Sequence, residues 1–309
     1  MAGLLAFVRY LRLKILVSIF RLLVKLSNIL SALPKPTPDS VLEIPARDNG
    51  RSIKVHLYKP SAEGTKKGDP LPVLINFCGS GFALPLHGMD DGFCRHIAAV
   101  ASYVVLDVEY RLGPEHPFPA AIHDVEDAVK YVLDRPHEYE TSHVSVCGFS
   151  SGGSLALIAP TLFPSRTFYS AIAFYPATNL AVDPGLRKAP VPGIKPRSPF
   201  PTRIFRESYI RDMDPRDPRI SPAYADTSKY PANMLVVTGE RDSSAPEAEE
   251  FAEKARDTGQ TGSRNVVLRR MKGCGHAFDK NSRDKFLIQA RDEAYELAVD
   301  MLKVTNGSG

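Results

Sequence analysis

Apolar and polar residues along the chain form repeating patterns that predict alternating strands and helices. Residues 52–60 alternate apolar and polar side chains, which is typical of a strand with one buried face. Residues 71–77 and 103–111 are almost continuously apolar, as expected of strands that helices cover on both faces. Further strands are predicted at 143–150, 171–178, 233–242 and 265–273, and helices at 87–102, 120–136 and 282–305. This alternation predicts the α/β fold class, with a mostly parallel central sheet flanked by helices.

The N-terminal segment is rich in large apolar residues that cations interrupt. Between Arg9 and Leu30 the longest uncharged run is Ile15 to Phe20, far short of the roughly 20 residues that a membrane span needs. Cations within the apolar run also disfavour a signal peptide. On a helix, the polar residues share a stripe, namely Lys14, Ser18, Arg21, Lys25 and Asn28. We therefore expect an amphipathic helix over residues 1–30, ended by the prolines of 33–38. Three placements of this helix stay open: it packs on its own domain, it covers an apolar pocket, or it lies in a membrane surface.

A second segment interrupts the strand–helix rhythm. Residues 180–225 are rich in proline and charge, and loops of this length in compact domains are usually lids or binding elements. We interpret them as an insertion that, with the N-terminal helix, caps one end of the sheet. The expected division is an N-terminal helix and cap at residues 1–45 and a main domain at 46–309 that contains the insertion.

The charge balance disfavours a nucleic-acid partner. The formal charge is +4 at neutral pH, too small an excess for a typical nucleic-acid binder. It is concentrated in residues 1–38, which contain six cations and no acidic residue. The four cysteines, Cys78, Cys94, Cys147 and Cys274, contain no C-x-x-C pair, so a zinc site has no support. We expect reduced thiols and an intracellular protein.

A glycine-rich turn at residues 148–152 carries the first sign of chemistry. Its sequence, Gly-Phe-Ser-Ser-Gly, fits G-x-S-x-G and lies between a predicted strand and a small-residue apolar run. The strand–turn–helix context makes this motif informative. Ser150 is thus expected on a strained turn, with its hydroxyl exposed for attack on a carbonyl.

A serine nucleophile needs a base to accept its proton and a carboxylate to orient that base. His276 is the only histidine after Ser150 and follows a predicted strand, so it has no competitor as the base. Asp242, with Glu240 in reserve, follows the strand at 233–242. The expected catalytic order is serine, acid, histidine.

Backbone amides are the expected donors to an oxyanion. Gly79, Ser80 and Gly81 lie in a loop after the strand at 71–77, and the amide of Ser151 faces the same space as Ser150. Each such donor lowers the barrier by roughly 3–4 kcal/mol.

Together these residues resemble the hormone-sensitive-lipase-like family of α/β-hydrolases, which are esterases and lipases of the arylacetamide-deacetylase kind. The resemblance runs from about residue 70 to the end. Residues 108–128 are similar to the family's Y-R-L-A-P-E-x-x-F-P-A-A-x-x-D block, and residues 217–242 to its I-S-P segment and the strand before the acid. The resemblance implies an α/β-hydrolase fold with a helical cap built from the N-terminus and an insertion. It assigns the nucleophile to Ser150, the acid to Asp242, the base to His276 and the oxyanion donors to the amides of Ser80, Gly81 and Ser151.

Three motifs depart from the family pattern, at four positions. Its His-Gly-Gly-Gly loop is Cys78-Gly-Ser80-Gly in this chain, and its acidic residue before the nucleophile is Phe149. Pro246 stands at the second acidic position after Asp242. The triad is thus complete, whereas the oxyanion loop is altered.

The expected function is hydrolysis of a carboxylic ester of a hydrophobic small molecule through an acyl-enzyme, a reaction that needs no metal or cofactor. Two alternatives stay open: biosynthetic acyl transfer or cyclisation on the same serine, and a non-catalytic ligand receptor on a hydrolase scaffold. No nucleic-acid partner is expected. The expected location is cytoplasmic, with membrane-surface contact through residues 1–30 and a homodimer both left open.

Overall fold

The structure is a computed structural model and describes residues 2–31, 34–61, 69–194, 198–257, 264–280 and 283–304. Its strands are β1 (Ser40–Pro45), β2 (Ser52–Tyr58), β3 (Leu71–Phe77), β4 (Val104–Val108), β5 (Tyr139–Phe149), β6 (Ser170–Phe174), β7 (Asn233–Gly239) and β8 (Asn265–Met271). Its α-helices are α1 (Ala2–Leu30), α2 (Asp91–Ala101), α3 (Ala120–Leu133), α4 (Ser151–Leu162), α5 (Pro199–Ile210), α6 (Ala245–Asp257) and α7 (Lys285–Lys303). Short 3₁₀ turns cover Pro222–Tyr224, Thr227–Lys229 and Phe278–Lys280.

The strands form one sheet in the order β1-β2-β4-β3-β5-β6-β7-β8. The pairs β1–β2 and β2–β4 are antiparallel, and every other neighbouring pair is parallel. The predicted mostly parallel sheet flanked by helices is therefore confirmed. Because parallel strands end at the same edge, the residues after β3, β5, β7 and β8 are brought together there.

The helices bury apolar faces against both sides of this sheet. On α3 the five apolar positions expected to share a face, Ile122, Val125, Ala128, Val129 and Val132, are all buried. The other side is covered by α2 and α7, whose buried residues contact Phe149 and Phe174 at the carboxyl ends of β5 and β6. The four cysteines are free and buried, as expected of thiols in a packed core.

Two segments can be compared with the sequence-based division, and one of them differs from it. Residues 40–45, placed with the cap, form β1 and pair with β2, because Val41 to Ile44 find their ladder partners there. The insertion at 180–225 contains the regular helix α5, started by Pro199 at its first turn. Met1, Leu33 and residues 195–197 lie outside the described residues. The division into cap and main domain stays a prediction.

Helix α1 is anchored to the body through one narrow stripe. Leu13 and Val17 are buried against Ala83 and Ile204 of α5. Arg21, expected on the polar stripe, faces the body: it donates hydrogen bonds of 2.9 Å to the carbonyl oxygens of Ala83 and Gly113 and to the carboxylate of Glu115. The Arg21 guanidinium thus neutralises the Glu115 carboxylate and donates to two carbonyl oxygens. If Arg21 faced solvent, these groups would lack that partner.

The outward side of α1 is apolar, contrary to the simple amphipathic pattern. Of the described chain's 19 exposed large apolar side chains, 12 lie on this helix, from Leu4 to Leu30. None of the described helices is long and apolar enough to cross a membrane.

The closest approach in the fold lies between α4 and the sheet. Gly148 and Gly152 face one another across the turn, and a β-carbon at Gly152 would overlap the carbonyl of Phe77 at the end of β3. Only glycine lets the first turn of α4 reach this position.

We expect Gly152→Ala to lower the free energy of unfolding by about 3 kcal/mol or more, because β3 and α4 must separate to admit the methyl group. Gly92→Ala is the matched control: it also lies in the first turn of a helix, and nothing lies within 4 Å of its added β-carbon. The control should be neutral or stabilising by about 0.5–1 kcal/mol. Urea unfolding of both variants measures the difference, and equal stabilities would contradict this account of the turn.

Candidate active site

Ser150 sits between the end of β5 and the start of α4 on a strained turn. Its backbone has φ of 52° and ψ of −116°, a region that residues with a β-carbon rarely adopt. The strain is held by hydrogen bonds on both sides: the Ser150 amide donates to Phe174 over 2.9 Å, and its carbonyl accepts from Ser154 over 3.0 Å. This geometry lifts the hydroxyl above the sheet edge, as the G-x-S-x-G motif predicts.

His276 and Asp242 meet Ser150 at that edge. Ser150 Oγ lies 2.8 Å from His276 Nε2, and His276 Nδ1 lies 2.6 Å from Asp242 Oδ2. His276 comes from the loop after β8, and Asp242 from the turn between β7 and α6. The three side chains therefore form one continuous chain of hydrogen bonds, in the order expected from the sequence.

Asp242 is held as a carboxylate despite being only 3% exposed. Its Oδ1 accepts hydrogen bonds from the amide and hydroxyl of Ser244, at 3.0 and 2.9 Å. Burial alone would raise the pKa of Asp242, but His276 and Ser244 outweigh it and hold the pKa at about 2. The reserve candidate, Glu240, accepts from the amide of Gly273 over 2.8 Å instead.

The oxyanion loop approaches Ser150 closely. A β-carbon on Gly79 would lie 3.0 Å from the carbonyl of Phe149 and 3.4 Å from Ser150 Cβ. Gly81 has φ of +57°, and its β-carbon would lie 2.9 Å from the ring of Phe205 on α5. The loop thus lies between Ser150 and α5 with no room for a side chain at position 79 or 81, which explains glycine at both positions.

The Ser80 amide has a partner within the protein. This amide, expected to donate to an oxyanion, already donates to Ser151 Oγ over 2.9 Å. The acceptor is the hydroxyl oxygen of Ser151, the residue next to the nucleophile. In the described part of the chain, the amides of Gly81 and Ser151 have no such partner. They are the donors that this arrangement leaves available.

Tyr110 braces the altered loop from beneath. Its hydroxyl donates to the carbonyl of Cys78 over 2.7 Å and also lies 2.7 Å from Ser80 Oγ and 3.2 Å from Ser151 Oγ. Ser80 Oγ in turn accepts from the amide of Phe82 over 2.9 Å. This buried network supports the loop at the position where the related family carries a histidine and this chain carries Cys78.

A charged cluster lies behind the nucleophile. Lys280 Nζ lies 3.9 Å from the centroid of the Phe149 ring and makes ion pairs with Asp90 and Asp279, at 2.5 and 2.7 Å. Burial would lower the pKa of Lys280, but these two carboxylates raise it well above its usual value. Tyr175 donates to Asp279 over 2.5 Å, and its ring lies 4.8 Å from that of His276. A cation–π contact and an ion-pair cluster thus occupy the space beside Phe149.

The triad opens into a pocket of about 300 Å³. Its floor is the oxyanion loop with Ser150 and His276, and its roof is α5 with the loop before it. Apolar side chains dominate the wall, namely Phe82, Leu84, Leu86, Met89, Leu180, Pro199, Pro201 and Phe205. Such a site suits a mostly apolar small molecule.

One group of side chains in the described residues is close enough to hold a metal ion. The donor atoms of His56, His87 and Asp107 lie within 4.8 Å of one another, and none of the three residues lines the pocket. His87 Nε2 also lies 2.9 Å from the Asp107 carbonyl oxygen. Burial raises the pKa of Asp107 to about 6. Sequence spacing gave no sign of this group, because its members come from β2, β4 and the loop between β3 and α2.

Sequence reasoning named the triad but missed its supports: Ser244, Tyr110, Asp90, Lys280 and Tyr175. Lys280 could have been noticed, since it follows His276 by four residues and Phe149 leaves the usual acidic position empty. Tyr110 lies inside the recognised 108–128 block, yet its contact with Cys78 depends on the pairing of β3 with β4.

The chain is similar to known proteins of the α/β-hydrolase fold. A family model described as the alpha/beta hydrolase fold matches residues 74–280. The chain is 29% identical over 261 residues to carboxylic ester hydrolase LipN of Mycobacterium tuberculosis, covering 78% of this chain and 62% of LipN. It is 26% identical over 288 residues to an ethyl acetate hydrolase of Pseudomonas putida, covering 90% of this chain and 86% of that protein. The chain therefore spans less than two thirds of LipN.

Solved structures of esterases are also similar to this chain. A hyperthermophilic esterase from the archaeon Pyrobaculum calidifontis superposes with a TM-score of 0.77 at 28% identity, covering 93% of this chain and 90% of that one. The thermostable carboxylesterase EstE1, cloned from a metagenomic library, superposes with a TM-score of 0.78 at 27% identity, covering 93% and 98%.

We expect Tyr110→Phe to lower the free energy of unfolding by about 1–3 kcal/mol, because it leaves the Cys78 carbonyl and the Ser80 hydroxyl without their buried partner. Tyr224→Phe, at an exposed tyrosine, is the matched control. Urea unfolding of both variants tests the expectation. A Tyr110→Phe protein as stable as its control would show that the network does not brace the loop.

Proposed function

The chain belongs to the family with the α/β-hydrolase fold, and we propose that it is a serine carboxylic-ester hydrolase. The resemblance to hormone-sensitive-lipase-like hydrolases is confirmed. The observation that carries the proposal is the unbroken contact from Ser150 Oγ through His276 to Asp242, at 2.8 and 2.6 Å, in the floor of an apolar pocket. The esterases similar to this chain support the same reaction class.

In the proposed first half-reaction, Ser150 Oγ attacks the ester carbonyl while His276 Nε2 accepts its proton. Asp242 holds the imidazole through Nδ1 and stabilises the positive charge that forms there. The negative oxygen of the tetrahedral intermediate accepts hydrogen bonds from the amides of Gly81 and Ser151. Gly79 lets the loop come this close, and Ser80 contributes through its bond to Ser151. The intermediate collapses when His276 protonates the leaving alcohol.

In the second half-reaction, His276 removes a proton from water, and the resulting hydroxide attacks the acyl-serine. The same amides stabilise the second intermediate, and His276 returns the proton to Ser150 Oγ as the acid leaves. Transfer of the acyl group to another alcohol would differ only in replacing water by that acceptor.

The substrate that the pocket favours is a hydrophobic small-molecule ester. Its wall is formed mostly by aliphatic, proline and phenylalanine side chains, and burial of each methylene on such a wall contributes about 0.8 kcal/mol. The α5 roof and the N-terminal helix act as the cap in this proposal.

We expect a fluorophosphonate probe to label the wild type and not Ser150→Ala. Hydrolysis of p-nitrophenyl butyrate should fall roughly 10⁵- to 10⁶-fold in the variant, since the remaining pocket lacks a nucleophile. Ser142→Ala, at an exposed serine that contacts Glu140, is the matched control. Labelling of the variant at wild-type level would refute the proposal. Labelling of the wild type without ester turnover would favour acyl transfer, and no labelling would favour a receptor.

The outward face of α1 supports a second part of the proposal, contact with a lipid surface. This face exposes leucine, isoleucine, phenylalanine and valine side chains, and residues 1–38 carry cations without a single acid. Apolar side chains inserted at the headgroup level, together with cations facing anionic lipid, are typical of helices that lie in a membrane surface. Because α1 contacts α5, such docking would bring the pocket roof close to the lipid.

Sedimentation with vesicles tests this contact. We expect the full chain to pellet with phosphatidylcholine–phosphatidylserine vesicles, and Ile15→Glu/Ile19→Glu/Leu22→Glu to lose most of that binding. Val41→Glu, an equally exposed position on β1, should bind as the wild type does. A different result would show that this face binds a second copy of the chain. In that case the wild type stays in the supernatant and has the mass of a dimer by light scattering, whereas the triple variant has the mass of a monomer.

A further inference from the structure

Three cationic side chains line the pocket: Lys280, Arg187 and Arg206. Two of them are neutralised by carboxylates. Lys280 contacts Asp90 and Asp279, and Arg187 makes an ion pair of 2.8 Å with Glu247.

Arg206 is the exception. It is half-buried on α5, and its Nε donates to the carbonyl oxygen of Leu180. Across the described chain, no carboxylate lies within 4.0 Å of its guanidinium. The two nearest acids are engaged elsewhere: Asp183 pairs with Arg203 at 2.6 Å, and Glu207 pairs with Arg9 at 2.8 Å.

An unpaired guanidinium in an apolar wall is costly, because it loses part of its hydration without gaining a counter-ion. Burial lowers the pKa of Arg206, and the more distant charges act in both directions, Asp183 and Glu207 raising the pKa and Arg187 lowering it. An arginine stays protonated at neutral pH in either case. The other two arginines of the described roof already have carboxylate partners, since Arg187 pairs with Glu247 and Arg203 with Asp183. An anion that enters the pocket would therefore meet one cationic side chain that lacks a carboxylate partner, Arg206.

We propose that Arg206 is the anion-binding residue of the pocket and that the preferred substrates are apolar esters that carry a carboxylate. This inference rests on the proposed esterase function. The hydrogen bond to Leu180 fixes Nε and leaves the two terminal nitrogens for a planar carboxylate, which matches the fork of a guanidinium. The apolar wall holds the chain of the substrate, and Arg206 sets its orientation relative to Ser150.

Matched pairs of anionic and neutral esters test the proposal. The acyl pair is mono-p-nitrophenyl adipate or suberate against the p-nitrophenyl alkanoate of equal chain length. The alcohol pair is 4-acetoxybenzoate against p-tolyl acetate. The enzymes are the wild type, Arg206→Met and Arg206→Gln, the last keeping a side-chain donor for Leu180. Arg203→Met, on the same helix and paired with Asp183, is the control.

We expect both Arg206 variants to lower kcat/KM for the anionic ester roughly 10- to 100-fold, mainly through KM. This loss is expected in either the acyl pair or the alcohol pair. Their kcat/KM toward the neutral esters should fall much less, so that the ratio of anionic to neutral activity drops, and circular dichroism checks that the variants fold. Arg203→Met should leave the ratio of anionic to neutral activity unchanged.

An unchanged ratio in both pairs for the Arg206 variants would overturn the proposal while leaving the esterase function intact. An equal loss toward neutral and anionic esters would overturn it too, by showing that Arg206 supports the roof and does not select charge. Absence of any turnover by the wild type would instead contradict the esterase function itself.

Discussion

The close contact of α4 with the ends of β3 and β5 is the constraint on which the site depends. Gly148 and Gly152 remove the β-carbons that would keep helix and sheet apart, and the turn between them forces Ser150 into its strained backbone conformation. The strain is tolerated because hydrogen bonds from the turn to β6 and into α4 hold it from both sides. Once Ser150 is raised above the sheet edge, the loops after β7 and β8 bring Asp242 and His276 within hydrogen-bond distance.

The oxyanion loop shows how a local substitution can be absorbed by its surroundings. A serine at position 80 and a cysteine at position 78 change a loop that glycines and a histidine form in related hydrolases. Here Tyr110 supplies the bracing hydroxyl, and Ser151 accepts from the Ser80 amide. In the proposed mechanism, the amides of Gly81 and Ser151 are the donors that face the substrate. The change at position 80 then alters which amides stabilise the negative oxygen, while the oxygen is still bound at the same place.

Seven of the eight strands in the described residues, most helices and the three candidate triad residues could be predicted from the sequence, because apolar periodicity and the G-x-S-x-G turn are local signals. Strand β1 was missed. The N-terminal helix could be located but not oriented: Arg21 faces the body only because Glu115 and two carbonyl groups meet it there. The hydrogen bond of the Ser80 amide, the Lys280 cluster and the unpaired Arg206 depend on contacts between residues distant in the chain. The strand order that creates those contacts is a property of the whole fold and has no local signature.

The most direct test of the account is to trap the covalent intermediate. The enzyme would be mixed with excess p-nitrophenyl butyrate, quenched in acid within milliseconds, digested and analysed by peptide mass spectrometry. The account predicts a butyryl group on Ser150, formed during turnover and absent when His276→Ala replaces the wild type. Steady turnover without acylation of Ser150, or acylation of another residue such as Ser151 in its place, would contradict the account.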